Sequence, residues 1–317
     1  MSLNRPANLD VHGFDAAIAD LEQGLCIAIP TETVYGLAAD STNGEAVARI
    51  FAMKQRPSFN PLICHVDGIE MAVRYGELTP LALRLADAFW PGPLTIVVPL
   101  KTNAQIADLV TAGLGSIGLR HPRGISSDLI SLFGKPLAAP SANRSGRVSP
   151  TTADHVAEEF PDVDLTILDQ GACDVGLEST IVKVENETLT LLRPGAITAE
   201  MIKDVTGTIV KEPIGKKIEA PGMMESHYAP NARVYLNATQ CETSDAWLQF
   251  GENAPVHANS LNLSASGDLI EAAANLYGML KQLDKSGVKR ICVSNIPETG
   301  IGIAINDRLR RAAAPKG

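Results

Sequence analysis

Lys54-Gln55-Arg56 and, some 85 positions later, Ser141-Ala142-Asn143 offer two cations and a hydroxyl/amide pair to one site. A polyphosphate is held by such a set: a guanidinium clamps oxygens as a rigid fork, an ammonium acts as a point charge, and small polar side chains add hydrogen bonds. Lys54 and Arg56 fall at the C-terminal end of a helix expected over 45–53, where cations also complement the helix dipole, so the pair alone has a purely structural reading. Pro57 stops that helix and Asn60-Pro61 follow, which makes the loop carrying the pair rigid. Ser141 sits on a turn kinked by Pro140 and can donate to an α-phosphate. The stretch 141–149, with Asn143, Arg144, Ser145, Gly146, Arg147 and Ser149, is a glycine-bearing polar loop ahead of a helix expected from about Thr151. Such a loop exposes backbone N–H groups beside a positive helix end, although a solvated surface loop has the same composition. Neither Gly-x-x-x-x-Gly-Lys-Ser/Thr nor Gly-x-Gly-x-x-Gly occurs, so a nucleotide site here is of another kind.

Further candidates flank these residues. Thr31-Glu32-Thr33-Val34-Tyr35-Gly36 follows an expected strand, the usual place for ligand contacts in α/β proteins, and equally the place of a plain strand-to-helix turn. Thr33 and Tyr35 could hold a small amino acid. His65 lies in an apolar run, where a lone histidine is more often a core residue than a catalyst. Arg120 ends a short strand and could pair a carboxylate at the sheet edge. Ser179 adds a hydroxyl, and Arg193-Pro194-Gly195 a fixed cation. Between residues 115 and 152 five cations face one carboxylate, net +4, which points to a bound anion there. No Ser/His/Asp triad, His-Glu-x-x-His or Cys/His pair is visible. A site built for positioning and charge neutralisation suits phosphoryl or nucleotidyl transfer, in which the substrates bring the nucleophile.

These residues need a scaffold. At 317 residues with 45% hydrophobic content, two globular domains are expected. The pattern predicts strands over 25–29, 62–66, 94–98, 116–119, 165–168, 180–184 and 189–192, the last two a hairpin. Helices are predicted over 45–53, 80–89, 126–133 and from about 151 to 160. From about Lys211, Pro and Gly punctuate a linker of about twenty residues, and long structureless connections are often functional. Ser226-His227-Tyr228 in its middle suggests a lid. Beyond it, a strand over 233–236, a helix over 269–283, a strand over 290–294 and a helix over 302–313 describe a small βαβ-like domain. The formal net charge of −9 and pI near 5.2 argue against a protein that coats nucleic acid. Five scattered cysteines without a Cys-x-x-Cys pair fit free thiols in a reducing compartment and lack the usual zinc spacings. The N-terminal stretch has no apolar targeting core and no run is long enough to span a membrane, so a cytoplasmic protein is expected.

Taken as an ordered set, Pro30-Thr31-Glu32-Thr33-Val34-Tyr35-Gly36-Leu37, Lys54-Gln55-Arg56, Phe89-Trp90-Pro91-Gly92-Pro93-Leu94-Thr95, Gly118-Leu119-Arg120-His121-Pro122 and Ala139 to Gly146 resemble the YrdC/Sua5 family, the threonylcarbamoyl-AMP synthases. Gly300-Ile301-Gly302-Ile303-Ala304-Ile305-Asn306-Asp307-Arg308-Leu309 resembles that family's smaller C-terminal domain. The resemblance implies an α/β fold: a YrdC-type twisted mixed sheet with flanking helices around an open cleft, plus a smaller Rossmann-like α/β domain. The expected division is 1–207, a linker or lid over 208–231, and 232–317. It implies synthesis of L-threonylcarbamoyladenylate and pyrophosphate from L-threonine, bicarbonate and ATP with Mg²⁺, feeding the t6A modification of tRNA through downstream transfer machinery. Carried over by motif, Lys54, Arg56, Ser141 and Asn143 face the triphosphate. Asn60, Ser116, Ser149, Arg193 and Tyr228 are further ATP contacts. Thr33, His65, Arg120, the Ala139 backbone and Ser179 surround threonine, and Mg²⁺ is carried mainly by the ATP phosphates. The alternative is an RNA-binding module that uses the cationic 116–150 segment on a tRNA or double-stranded RNA backbone. Against it stand the acidic total and the lack of aromatic platforms for bases. Carbamoyl transfer in the manner of hydrogenase maturation factors needs acylphosphatase and zinc-finger modules, which this chain lacks.

Overall fold

Short apolar runs bury both faces of a strand at once, and here they collect into one sheet. In the computed structural model, which describes residues 11–213, 219–223 and 227–315, the strands are β1 (Ile27–Ile29), β2 (Gly36–Asp40), β3 (Ile63–His65), β4 (Leu94–Pro99), β5 (Ser116–Arg120), β6 (Leu137–Ala138), β7 (Thr166–Ile167), β8 (Thr180–Glu185), β9 (Thr188–Arg193) and β10 (Val210–Lys211). They pair in the order β10-β9-β8-β4-β5-β3-β6-β2-β1-β7, with parallel and antiparallel neighbours mixed. The helices α1 (Val11–Glu22), α2 (Gly44–Lys54), α3 (Ile69–Tyr75), α4 (Pro80–Phe89), α5 (Asp108–Thr111), α6 (Ile125–Phe133), α7 (Ala153–Glu159) and α8 (Ala199–Thr206) flank the sheet. Strands such as β1 and β4, buried at nearly every position, read as continuous apolar runs because neither face meets water. The β8–β9 hairpin turns through Asn186, whose φ of 53° an asparagine tolerates.

Two local devices set the phosphate-facing loop. Asn43 caps α2 by accepting from the Glu45 and Ala46 amides. At the other end Gln55 turns left-handed (φ 52°) and the Arg56 amide bonds back to Phe51 O at 3.0 Å, which ends the helix and swings Arg56 off its axis. The strand-to-helix reading of the Thr31–Gly36 segment is corrected: Gly36 opens β2, which runs antiparallel to β1, so the segment is the connection of a β-hairpin. Beyond residue 207 the chain still belongs to the first sheet, because β10 adds alongside β9.

The second unit holds β11 (Arg233–Tyr235), β12 (Ala246–Gln249), β13 (Ser260–Asn262), α9 (Leu269–Lys285), β14 (Arg290–Val293) and α10 (Gly302–Ala313). Its four strands are all parallel, in the order β11-β14-β12-β13. Among the described residues no helix is long and apolar enough to cross a membrane. Ser226, part of the expected lid, lies outside the described residues.

The two units are pressed together. Lys281 and Lys285 on α9 pair with Glu159 and Glu158 on α7. At Gly176 (φ 70°) a Cβ would stand 2.5 Å from Ala274 Cα and 2.6 Å from Ala273 O, so only glycine lets this loop lie against the α9 backbone. Gly176→Ala is expected to lower stability in urea denaturation by about 1–3 kcal/mol, the usual cost of overpacking. A wild-type midpoint would mean that the two units do not meet there.

Candidate functional site

β3 and β5 run parallel and end on His65 and Arg120, and at their carboxyl ends opens a cavity of about 40 Å³. Its walls also come from the β1–β2 connection (Thr33, Val34), the turn with Ala139, Pro140 and Ser141, the start of β8 (Glu178, Ser179), and Arg56 and Arg193. Pro221, Gly222, His227 and Tyr228 of the linker close it.

One wall is cationic, and the Glu178 carboxylate near Arg193 is already paired with Arg308. Arg56, 8% exposed, donates from Nε to Asn60 O at 3.2 Å and from Nη2 to Pro61 O at 2.8 Å. Arg193, 3% exposed, is held by Ser179 O (3.1 and 2.9 Å), the Ser179 hydroxyl and Pro221 O. Carbonyl and hydroxyl oxygens thus orient both guanidiniums, and among the described residues neither has a carboxylate in an ion pair. Burial brings the Arg56 guanidinium down to about 10 and lowers that of Arg193, yet both stay charged at neutral pH. Lys54 lies one layer behind. Its Nζ donates to Ser141 O and Asn143 O, and burial, then the charge of Arg56, hold its pKa well below the usual lysine value. Lys54 therefore shapes the Ser141–Asn143 turn and does not itself line the cavity. Asn143 braces the same loop through Nδ2 to Arg144 O (2.8 Å) and Arg147 O (2.9 Å).

A second group of residues around the cavity is neutral in sum. Arg120 donates from Nη2 to Glu32 Oε1 at 2.7 Å, both side chains 4% exposed, and from Nε to Gly92 O. The edge cation anticipated from the strand end thus already has a protein carboxylate. His65, buried beside Arg120, has its pKa driven down to about 3, mainly by burial, so the ring is neutral at any physiological pH. Thr33 bonds Thr31 and Ser179 bonds Thr95, each at 2.8 Å between hydroxyl oxygens. Buried polar atoms without hydrogen-bond partners gather at this site: His65 Nδ1, His227 Nδ1 and Tyr228 Oη belong to lining residues, and Asn143 Oδ1 lies on the loop beside Ser141. Such atoms cost stability, and their concentration around one cavity marks it as a place to bind a polar ligand.

Glu178 ties the cavity to the second unit. Its Oε2 accepts from Arg308 Nε (2.7 Å) and Tyr277 Oη (2.9 Å), and its Oε1 accepts from Ser149 Oγ (2.6 Å). Burial pushes this carboxyl upward, but the charges of Arg308 and Arg193 and the bonds from Ser149 and Arg308 prevail and hold it at about 2. Arg308 also reaches Pro194 O at 3.0 Å and lies 5.2 Å from the Tyr228 ring, which stacks on Tyr277 at 5.8 Å.

Of the residues singled out from sequence, Arg56, Ser141, Arg193 and Tyr228, together with Thr33, His65, Arg120, Ala139 and Ser179, line this one cavity. Ser149 stands behind Glu178. Asn60 is buried and its carbonyl orients Arg56. Ser116 lines an adjoining narrow cavity that shares Ile63 and Pro221 with the first. The cationic stretch 115–152 does not converge as its composition suggests: only Arg120 reaches the cavity, Lys135 pairs with Asp40, and Arg147 points to Glu159 at 3.8 Å. Sequence reasoning passed over Glu32, Glu178, Tyr277 and Arg308. A signal for Arg308 was present, since Ala304, Ile305, Arg308, Leu309 and Ala312 form one buried helical stripe and a cation on such a stripe requires a buried partner.

Comparison with known proteins agrees with this geometry. Residues 19–195 match the Sua5–YciO–YrdC family, described as "Telomere recombination", and residues 197–314 match "Threonylcarbamoyl-AMP synthase, C-terminal domain". The chain is 38% identical over 313 residues to the threonylcarbamoyl-AMP synthase of Pyrococcus abyssi, covering 92% of each. It is 38% identical over 322 residues to that of Bacillus subtilis, covering 94% of this chain and 92% of the relative. The crystal structure of P. abyssi Sua5 complexed with L-threonine superposes with a TM-score of 0.88 at 34% identity, covering 97% of this chain and 96% of that one. Escherichia coli YciO, at 17% identity and a TM-score of 0.53, shares the fold over 62% of the chain.

Two outcomes follow from the buried charges. Glu178→Gln or Arg308→Met alone should cost about 3–5 kcal/mol, because each strands its partner. The double variant should cost less than the sum, and strict additivity in a double-mutant cycle would deny the pair. His65 and His227 both have pKa values of about 3 when folded, against 6.5 for an ordinary histidine, so the unfolded chain binds protons first as pH falls. Their contribution is complete above pH 6.5 and is lost on acidification towards 3; Glu178, at about 2 against 4.5, adds a second loss below pH 4.5. A denaturation midpoint that stays flat between pH 7 and 5 would contradict neutral buried imidazoles.

Proposed function

We propose that this chain, which belongs to the Sua5–YciO–YrdC family, is a threonylcarbamoyl-AMP synthase that converts L-threonine, bicarbonate and ATP to L-threonylcarbamoyladenylate and pyrophosphate for t6A modification of tRNA. The observation that carries the reading is the pair of buried guanidiniums, Arg56 and Arg193, facing one cavity in which the described carboxylate, Glu178, is already paired with Arg308. A triphosphate supplies the missing negative charge. The neutral half beside it, with Thr33, His65, Arg120, Ala139 and Ser179, suits a zwitterionic amino acid bearing a hydroxyl.

The chemistry asks for positioning. The unprotonated threonine amine adds to CO₂ with loss of a proton, or to bicarbonate with loss of water, to give a carbamate; a carbamate oxygen then attacks the α-phosphorus, and the bond to the β-phosphate oxygen breaks with pyrophosphate leaving. Arg56 and Arg193 stabilise charge that spreads over the phosphates as this happens. Ser141, on the turn fixed by Lys54, lines the same cavity and can donate its hydroxyl to the carbamate or the α-phosphate. The uncharged ring of His65 can hydrogen-bond the amine or carbamate without repelling an ammonium. Among the described residues Glu178 is the one carboxylate that lines the cavity, and its oxygens are taken by Ser149, Tyr277 and Arg308. Magnesium accordingly enters with ATP on the phosphates, and we assign it no protein ligand.

With the linker in place the cavity is about 40 Å³, far below the roughly 300–1,000 Å³ of small-molecule sites. Pro221, Gly222, His227 and Tyr228 therefore have to withdraw for ATP to enter and can then fold back over it. Pyrophosphate release is expected only with threonine, bicarbonate and ATP together, and release that ignores the omission of threonine would refute the reading. Arg56→Ala should lower kcat/KM by about 10²–10³-fold, the scale of losing one charge-stabilising donor. Tyr228→Ala should chiefly weaken ATP binding, and an unchanged nucleotide affinity would reduce the linker to a tether.

A further inference from the structure

In β14, Ile291 and Val293 point into the core beneath α9 and α10, so by strand alternation Cys292 between them faces the other side of the sheet. Both α9 and α10 contribute to the apolar cluster on the Ile291 and Val293 side, to which Cys292 does not belong. The connection 236–245 lies against Cys292, anchored where the Ala238 amide donates to Val293 O at 2.8 Å. A turn closed by the Asp245 amide on Glu242 O (2.9 Å) presents Cys241 and Asp245 from this connection toward Cys292. The two sulfurs and a carboxylate oxygen all lie within 4.8 Å of one another.

The geometry points to a metal site here: Cys241, Asp245 and Cys292 bind one thiophilic divalent cation of the zinc class, with a fourth position left to water. Two thiolates and one carboxylate suit Zn²⁺, whose tetrahedral bonds of roughly 2.0–2.3 Å bring such donor atoms into mutual distances of this order. Calcium and magnesium are disfavoured, because they require oxygen donors. Charge also balances. Arg290 donates to Asp245 at 2.9 Å and would remain as an outer partner of the ligating carboxylate, so that ion, two thiolates, carboxylate and guanidinium sum to zero. On binding, both thiol protons leave to solvent and no oxidant is involved. The ion would staple the 236–245 connection to β14, an internal strand of the sheet.

Cobalt(II) reports such a site directly. Titrating the reduced full chain with Co²⁺ should give a thiolate-to-cobalt charge-transfer band saturating at one ion per chain, displaced by Zn²⁺. The band should vanish in Cys241→Ser and persist in Cys173→Ser, whose thiol lies in the first unit. Cys241 is only half-buried on a loop, so its serine variant should keep the wild-type circular dichroism and adenylate formation. Zinc should raise the thermal midpoint of the wild type and not of Cys241→Ser. Absence of the band in the reduced protein, its survival in Cys241→Ser, or a Cys241–Cys292 disulfide forming in air equally fast with and without zinc would each overturn the proposal.

Discussion

A single carboxylate that has lost its water organises this molecule. Taking Glu178 out of solvent costs several kcal/mol, and the cost is offset only because three side chains converge on it with good geometry. Ser149 comes from the loop ahead of α7, Tyr277 from α9 and Arg308 from α10, so both units must be docked for the carboxylate to be satisfied. Because Arg308 continues to Pro194 O and beneath Tyr228, the same interaction sets the floor on which the linker rests. A buried pair of this kind contributes modestly to net stability. What it fixes is arrangement, since few other placements of the second unit leave Glu178 paired.

Charge compensation divides the cavity more sharply than shape does. Arg120 is balanced by Glu32 and Arg308 by Glu178 and Asp307. Lys54, Arg56 and Arg193, by contrast, are oriented by neutral oxygens. One half of the cleft is therefore close to neutral and suited to a zwitterion, while the adjacent half stores unbalanced positive charge. Nucleophile and phosphate can then be placed side by side without competing for the same cations, and the buried surroundings strengthen each interaction.

Much of this was legible in the chain. The helices over Pro80–Phe89 and Gly302–Ala313 coincide with their periodic stripes, and the β8–β9 hairpin with its alternation. β6 and β13 escaped because a strand of two or three residues carries too little pattern, and Ser260-Leu261-Asn262 is polar enough to pass for loop. Lys54 was placed on the phosphate because motif reasoning sees a side chain and not the carbonyls it faces. Glu32 and Glu178 were hidden for a related reason: a buried carboxylate is recognised by its partners, and those of Glu178 stand up to 130 positions away. Local signals fix elements, whereas pairing of buried charges is decided by topology.

That same distance along the chain sets an order of assembly. Domains fold from the N-terminus as they are synthesised, so the sheet that displays Glu178 is complete well before α10 exists. Until Arg308 is made, the carboxylate and its neighbour Arg193 share a cleft without the guanidinium that balances the former or the aromatic floor that supports the lid. Helix α10 thus acts as a check on docking, because the cleft takes its final form only once Arg308 has been made and the second unit has closed on Glu178.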